Sequence, residues 1–261
     1  MSGGFDSYNY EDKIPQRLDL LSEAVKQIGA DFVGLVDTFR WDEIFTEKEI
    51  KEMFGYKYSY VVKLDDERLK KLGHDNGISV LTNLPVKNFE TVRIFNRNAI
   101  KTTIEYENRT IDIFSVYLDD LSEEVRKKEI SCLLCEVNKN TPTIIMGDLN
   151  SLTKDFAKNN DQLEKFWVEN PKVKEKLYSS INEMSRGEVI KLIESSSFID
   201  SSEKKENMVS TKLSEAKFTG PFLRLDYAFH TPDLKVANFK VMRDNIFDKA
   251  SDHYPICFEV E

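Results

Sequence analysis

Short apolar segments that contain or end beside a single aspartate constrain the fold of this chain more than any other feature. One apolar segment leads into Gly-Asp-Leu-Asn at 147–150, and Asp226 lies within the apolar stretch 225–229. Near the C-terminus, Asp252 stands beside His253, the last histidine of the chain. A carboxylate in a buried strand needs a partner, and an adjacent Asp and His can bind metal and phosphate together. The pattern predicts acid-bearing strand ends that form the site of a metal-dependent phosphoester hydrolase.

The periodicity of the remaining segments indicates an α/β fold. Strands are predicted at 5–10, 31–36, 56–63, 77–81, 89–96, 98–106, 110–117, 143–146, 223–229, 235–242 and 254–260, and helices at 15–29, 46–54 and 122–139. The region 152–200 is predicted to be mostly helical, and 201–220 to be a polar loop. A chain of 261 residues can bury one large core, and no repeat or linker interrupts it. We therefore expect a single domain spanning 1–261.

One charged stretch is interpreted as solvent-facing surface. The polar stretch at 65–71 is rich in acids and lysines, which is typical of an exposed face. The helix predicted at 122–139 is expected to bury an apolar stripe formed by Val125, Ile130, Leu133, Leu134 and Val137.

Charge and cysteine content narrow the class of partner and the compartment. The formal net charge is −9, which disfavours tight nonspecific binding of duplex nucleic acid because like charges repel at long range. Three cysteines and no secretory pattern favour a reducing compartment. A helix that spans a bilayer needs about 18 consecutive apolar residues, and the sequence has no such run. We expect a cytoplasmic monomer that does not contact membranes.

The order of these signals resembles the endonuclease/exonuclease/phosphatase superfamily, which includes deoxyribonuclease I, exonuclease III, neutral sphingomyelinases and inositol polyphosphate phosphatases. The resemblance extends over nearly the whole chain. Each motif alone is weak, but in this order and at these separations they form a strong signal. The matching positions are Tyr8 and Asn9, 30–37, 76–85, 147–150, 225–229 and 251–253.

The resemblance implies a fold and a set of residue roles. The fold is a four-layer α/β sandwich, in which two packed, mostly antiparallel sheets are flanked by helices. The implied metal is Mg²⁺ or Mn²⁺, with Asp37 as a ligand, Asn9 ordering the ligand set and Asp252 close to the ion. In the implied catalytic set, Asp148 activates or holds the attacking water, Asn150 hydrogen-bonds the water or the phosphate, and His253, paired with Asp226, contacts the phosphate.

Two positions depart from the family pattern. Position 37 carries Asp where the family usually has Glu, which shortens the side chain by one methylene. Tyr117 stands where many members have His, and in this it resembles the branch of exonuclease III and AP endonucleases, which has Tyr at that position. A phenol can still donate to a phosphate or a leaving oxygen. The expected substrate is a phosphoester, with nucleic acid as one candidate and nuclease activity favoured by Tyr117. The alternative is a catalytically impaired member that binds nucleic acid or a phosphate ligand.

Each site residue also has a structural interpretation. An Asp in a Gly-Asp-Leu-Asn turn is commonly a turn former, and Asp226 could pair with Arg224 instead of serving a site. His253 alone would more often be a satisfied structural histidine. The occurrence of the three motifs at 147–150, 225–229 and 251–253 in this order favours the functional interpretation.

Overall fold

The computed structural model describes residues 17–154, 160–202, 223–243 and 246–261. The strand predicted at 5–10, with Asn9, lies outside these residues, as does most of the loop predicted at 201–220. The helices are α1 (Leu18–Ile28), α2 (Trp41–Ile44), α3 (Glu47–Phe54), α4 (Glu67–Lys71), α5 (Glu123–Cys135), α6 (Asp161–Glu169), α7 (Pro171–Met184), α8 (Glu188–Ser195) and α9 (Phe247–Ala250). The strands are β1 (Phe32–Val36), β2 (Tyr58–Lys63), β3 (Gly77–Thr82), β4 (Val86–Ile94), β5 (Arg97–Tyr106), β6 (Arg109–Tyr117), β7 (Thr143–Asp148), β8 (Ile199–Asp200), β9 (Asp226–His230), β10 (Val236–Val241) and β11 (Ile256–Val260). Within the described ranges, no helix is both long enough and apolar enough to cross a membrane.

Local sequence signals set the ends of several elements. Helix α3 begins at a capping box, in which Thr46 Oγ1 accepts a hydrogen bond from the Glu49 amide and the Glu49 carboxylate accepts one from the Thr46 amide. The β5–β6 hairpin turns through Glu107 and Asn108, whose φ values are 49° and 61°. Two adjacent residues with positive φ match the twist of the flanking strands, so the connection needs only two residues.

The larger sheet contains six strands in the order β4-β5-β6-β7-β9-β8. All neighbouring pairs are antiparallel except β6 and β7, which are parallel. A parallel pair needs a crossover, and helix α5 lies in the connection between these two strands. The crossover brings the C-terminal ends of β6 and β7 to the same edge of the sheet.

The other described strands form a three-stranded group, β1-β3-β2, and the pair β10-β11. Strand β1 packs face to face on β6 and β7. At Gly34 the approach is so close that a Cβ atom would lie 3.1 Å from Met146 Cε and 3.1 Å from Ser115 Oγ. Glycine at this position therefore permits the two layers of strands to meet.

Apolar side chains define the layers on both sides of the strands. Alternate residues of β6 point to opposite faces: Ile113 packs between the strand layers, whereas Phe114 and Val116 pack under α5 and α8. Helices α1 and α3 cover the outer face of β1 and β3 around the buried Trp41. The order helix, sheet, sheet, helix confirms the expected α/β sandwich.

The interpretation of the stretch 65–71 as an exposed face is partly wrong. The stretch 65–71 contains α4, and Asp66, which caps that helix, is only 2% exposed. The buried face of α5 carries Ile130 and Leu133 as expected, but it also buries three charged residues: Glu123, Arg126 and Glu129. Apolar periodicity cannot identify a buried charge, because burial depends on partners that are distant in sequence.

Candidate active site at the edge of the sheet

Three candidate residues lie side by side because of the strand order. Tyr117 and Asp148 are paired in register at the ends of the parallel strands β6 and β7. Asp226 begins β9, which is antiparallel to β7, and it is paired with Asp148. The three side chains therefore stem from one row of neighbouring strand ends.

The Gly-Asp-Leu-Asn turn fixes Asp148 by backbone geometry. Gly147 has a φ of 139°, and a Cβ atom there would lie 2.0 Å from the Val116 carbonyl oxygen, so another residue would force the strands apart. Asp148 Oδ1 accepts a hydrogen bond of 2.8 Å from the Asn150 amide, which makes the segment an Asx turn. Asp148 is 4% exposed, so its carboxylate is buried and is fixed by this hydrogen bond.

Asn150 is fixed by both its backbone and its side chain. Its φ is 47°, in the left-handed region, which Asn tolerates better than most residues. Its Nδ2 donates a hydrogen bond of 3.0 Å to the carbonyl oxygen of Leu118, the residue after β6. Since this bond uses one amide hydrogen, the second hydrogen and Oδ1 are the groups with which Asn150 can serve a ligand.

Asp226 and His253 form a hydrogen-bonded pair. His253 Nδ1 lies 2.8 Å from Asp226 Oδ2, and the two side chains are 17% and 13% exposed. A proton on Nδ1, donated to the carboxylate, leaves Nε2 as the nitrogen available to a ligand. Arg224, the alternative partner considered for Asp226, donates a hydrogen bond of 2.9 Å to Asp200. The hydrogen bond between Asp226 and His253 is present, and its role in catalysis stays a prediction.

Two further candidates approach from the other strand layer. Asp37 directly follows β1, is 5% exposed and has a φ of 58°. Asp252 lies next to His253, just before β11. Both line the same cleft as Tyr117 and the 148–150 turn. Asn9 lies outside the described residues, so its expected role stays a prediction.

The donor set of the cleft fits a divalent cation. Single ligand atoms from Asp148, Asp226 and His253 all lie within 4.8 Å of one another. Carboxylate oxygens are the ligands that Mg²⁺ and Mn²⁺ prefer, and the carboxylates of Asp37 and Asp252 line the same cleft. The compact group differs from the predicted ligand set, because its three members were expected to act on the substrate.

A group of buried charges lies behind the peptides that follow β6, and sequence reasoning did not identify it. We call it the buried ionic cluster, and its members are Asp66, Arg97, Glu123, Arg126 and Glu129. Arg97 Nε lies 2.8 Å from Asp66 Oδ2 and 3.7 Å from Glu129 Oε1, and Arg126 Nε lies 2.8 Å from Glu123 Oε2. Each of these side chains is at most 1% exposed.

Burial and pairing shift the pKa values within this cluster in opposite directions. Burial raises the pKa of Glu129 to about 8, against the opposing effect of Arg97. Burial alone would also raise the pKa of Asp66, but the Arg97 guanidinium and two backbone amides hold it below its ordinary value. Burial favours loss of the Arg97 proton, yet Glu129 and other nearby acidic groups hold the pKa of Arg97 above its ordinary value. Arg97 is therefore charged at neutral pH, as arginine is in proteins generally.

The described strands form the expected α/β sandwich, and the edge of its larger sheet carries a group of carboxylates and an imidazole that could hold a metal ion. The sequence profile of the endonuclease/exonuclease/phosphatase family matches residues 9–253. This chain belongs to that family, which includes phosphatases and nucleases. No curated protein sequence matches the chain.

Solved structures share the fold across nearly the whole length of this chain. A family protein from Leptotrichia buccalis is 17% identical with a TM-score of 0.63, and the match covers 97% of this chain and 96% of that one. A mannosyl-6-phosphatase from Bacteroides thetaiotaomicron is 15% identical with a TM-score of 0.62, covering 94% and 91%. An AP endonuclease from Archaeoglobus fulgidus is 15% identical with a TM-score of 0.65, covering 93% of each chain. At these identities the comparisons establish the fold alone.

Proposed function

We propose that this protein is a divalent-metal-dependent phosphoester hydrolase, and that its substrate is a phosphodiester, with nucleic acid as the first candidate. The observation that carries the proposal is the convergence of Asp148 with the hydrogen-bonded pair of Asp226 and His253 at one sheet edge. Phosphoester hydrolysis needs a proton acceptor for water and positive charge near the phosphate oxygens. The three residues supply both kinds of group.

Asp148 and Asn150 act on the attacking water. Asp148 has the buried, fixed carboxylate that a general base requires, and it accepts the proton as the water attacks phosphorus. Asn150 is anchored through one amide hydrogen, so its remaining amide groups orient the water or a phosphate oxygen. A fixed acceptor and donor hold the water in line with the departing oxygen.

His253 and Tyr117 act on the phosphate. The Asp226 carboxylate holds the His253 ring through Nδ1, so that a protonated ring presents Nε2–H to a phosphate oxygen. Tyr117 contributes a phenol that donates to a phosphate oxygen or to the leaving oxygen. These donors stabilise the charge that develops on the oxygens during cleavage.

Asp37 and Asp252, with Asn9, would hold a Mg²⁺ or Mn²⁺ ion, which when bound supplies positive charge at the phosphate. Both carboxylates line the same cleft, and carboxylate oxygens are the ligands that Mg²⁺ and Mn²⁺ prefer, which supports this assignment. The group of Asp148, Asp226 and His253 is an alternative location for the same cation.

The test is a hydrolysis panel that includes single- and double-stranded DNA, abasic DNA, RNA, sugar phosphates and nitrophenyl phosphates, each with Mg²⁺, Mn²⁺ or EDTA. We expect metal-dependent cleavage that Asp148→Asn lowers by about 10²–10⁴-fold. His253→Ala should lower it as well. Asp233→Asn, which changes an exposed loop carboxylate, is the matched control and should keep wild-type activity. The proposal fails if no substrate is cleaved, or if Asp148→Asn cleaves as fast as wild type.

The second candidate is a family member that has lost efficient turnover and binds nucleic acid or a phosphate ligand. It is favoured by one observation, the shorter Asp at position 37. It predicts metal-dependent binding of a phosphate ligand without cleavage, which the same panel measures when it is read out by fluorescence anisotropy.

A further inference from the structure

Arg97 is a fully buried charged residue next to the candidate site, although it does not line the cleft. It begins β5, its side chain is 0% exposed, and every side of the guanidinium has a partner. Nε donates to Asp66 at 2.8 Å, and Nη2 donates to Asp120 Oδ1 at 3.1 Å. The third nitrogen, Nη1, points to the end of β6, where it lies 3.3 Å from the Tyr117 carbonyl oxygen and 2.5 Å from that of Leu118.

The Leu118 carbonyl oxygen connects this arginine to the candidate site. It accepts the hydrogen bond from Arg97 Nη1 on one side and the bond of 3.0 Å from Asn150 Nδ2 on the other. The Leu118 amide in turn donates to the Asp148 carbonyl oxygen at 3.0 Å. One peptide unit is thus held by a buried cation and holds the side chain of Asn150.

A second contact reaches Tyr117. The Arg97 guanidinium carbon lies 5.3 Å from the centre of the Tyr117 ring, within the range of a cation–π interaction. Arg97 therefore touches both the backbone and the ring of one candidate site residue, and reaches another through a shared carbonyl. No other residue of the buried ionic cluster has a hydrogen bond that ends on the Leu118 carbonyl oxygen in the described part of the chain.

We propose that Arg97 is a positioning residue, which sets the orientation of Asn150 and Tyr117 through the Leu118 peptide and the Tyr117 ring. The proposal rests on the proposed function, because the orientation matters for hydrolysis only if these residues act there. A guanidinium can do this because its planar fork donates in three directions at once, to Asp66, to Asp120 and to the end of β6. A lysine ammonium on a flexible stem cannot keep all three contacts in one plane.

The alternative is that Arg97 only balances buried negative charge. Arg126 provides a matched control, because it is equally buried, pairs with Glu123 and donates to the Asp119 carbonyl oxygen, one residue beyond Leu118. Replacing either arginine with methionine removes a buried cation from the same cluster. Only the replacement of Arg97 removes the bond to the Leu118 carbonyl oxygen.

The experiment compares Arg97→Lys, Arg97→Met and Arg126→Met with wild type in two measurements. The first is steady-state hydrolysis of the substrate found in the panel. We expect both Arg97 variants to lower kcat by about 10–100-fold with KM within about threefold, because misplaced groups lose rate more than binding. Arg126→Met should keep kcat within about threefold per folded molecule. Arg97→Lys carries the test if the methionine variant does not fold.

The second measurement does not require activity. The side-chain amide of Asn150 is followed by nitrogen-15 NMR and assigned with Asn150→Asp, whose spectrum lacks that signal. Arg97→Lys should shift this signal and speed its hydrogen exchange, whereas Arg126→Met should leave it in place. If wild type cleaves nothing, the proposed function has failed, yet this signal still decides whether Arg97 positions Asn150.

A double substitution tests whether Arg97 affects turnover through Asn150. In an Asn150→Ala background, adding Arg97→Lys should lower kcat far less than it does in wild type, because part of the structure it acts through is already gone. The proposal is overturned if Arg97→Lys keeps wild-type kcat. It is also overturned if kcat falls while the Asn150 amide signal is unchanged, or if the two substitutions have fully additive effects.

Discussion

Two regions lie on either side of the peptides that follow β6, the cleft and the buried ionic cluster, and they differ in how their charges are paired. On the cleft side, Asp148 lies close to the pair of Asp226 and His253, and the carboxylates of Asp37 and Asp252 line the same cleft, so negative charge outnumbers the single imidazole. On the other side, every carboxyl group of the buried ionic cluster lies within 3.7 Å of a buried arginine. Concentrated charge is the condition for binding a cation, whereas matched charge is the condition for burial. Ligand binding is what we propose for the first region, and the second region is bonded directly to the peptides that carry it.

Breaking a matched pair should have the largest effect on stability. Glu123 Oε1 accepts hydrogen bonds from the amides of Glu188 and Val189 at the start of α8, and its Oε2 pairs with Arg126. Glu123→Ala should lower the free energy of unfolding by about 3–5 kcal/mol, because Arg126 is left buried without its partner. Chemical denaturation measures this change.

The neighbouring Glu124 provides the control for that measurement. It is exposed and pairs with Lys127 at 3.5 Å on the surface of the same helix. Glu124→Ala should change the free energy of unfolding by less than about 1 kcal/mol. Equal losses in the two variants would contradict the distinction between a structural and a solvated charge on α5.

Changing the cleft side should affect turnover more than folding. Asp226→Asn keeps the shape of the side chain but replaces the carboxylate that faces His253 Nδ1 with a neutral amide. The amide disfavours the protonated ring, so kcat should fall by about 10–100-fold while the unfolding free energy changes little. The relative loss should shrink toward low pH, where the ring is protonated in both proteins, and grow as the pH rises. A pH–rate profile checks this, and a variant with wild-type turnover at every pH would remove the pair from the mechanism.

The cleft side could be predicted from sequence because its signals are local. An apolar run followed by Gly-Asp-Leu-Asn predicts both a strand end and a carboxylate there, and a similar local pattern marks Asp226 and His253. The structure brings Tyr117, Asp148, Asn150, Asp226 and His253 together as expected, and Asp37 and Asp252 to the same cleft. Their roles in catalysis and metal binding stay predictions.

The buried ionic cluster could not be predicted from sequence, because its partners are far apart along the chain. Arg97 follows a turn between two strands, which is typical of an exposed position, yet its partner Asp66 is 31 residues away and Leu118 is 21 residues away. On α5, the buried Glu129 and Arg126 carry the same charges as the exposed Glu124 and Lys128. Only the tertiary contacts distinguish these charges from surface charges.

The pH dependence of stability provides a finer test of the buried side. The pKa of Glu129 is about 8 in the folded protein against an ordinary value of 4.5, so between these pH values the folded chain holds a proton that the unfolded chain releases. The contribution of Glu129 to stability is therefore present at low pH and is lost as the pH rises toward 8.

Glu129→Gln removes this titration but keeps an oxygen that can accept the hydrogen bond from the Asp119 amide. Between pH 6 and pH 8 the variant should gain about 1–2 kcal/mol relative to wild type. Denaturation of both proteins across this range measures the difference, with the exposed Glu124→Gln as the control. A constant difference between variant and wild type would mean that Glu129 is ionised throughout.

The smallest effect is expected at Asp37, where the two candidate functions disagree. The left-handed φ of 58° is tolerated by Asp better than by Glu, because the shorter side chain can hydrogen-bond its own backbone. Asp37→Glu should therefore lower the free energy of unfolding by about 1 kcal/mol and reduce hydrolysis by several-fold, since the longer carboxylate enters a cleft built around Asp. Asp37→Asn keeps the tolerated backbone and the length of the side chain, so it serves as the control that removes the charge alone. A large gain in hydrolysis by Asp37→Glu would instead show that the wild-type site is impaired, and would favour the binding protein over the hydrolase.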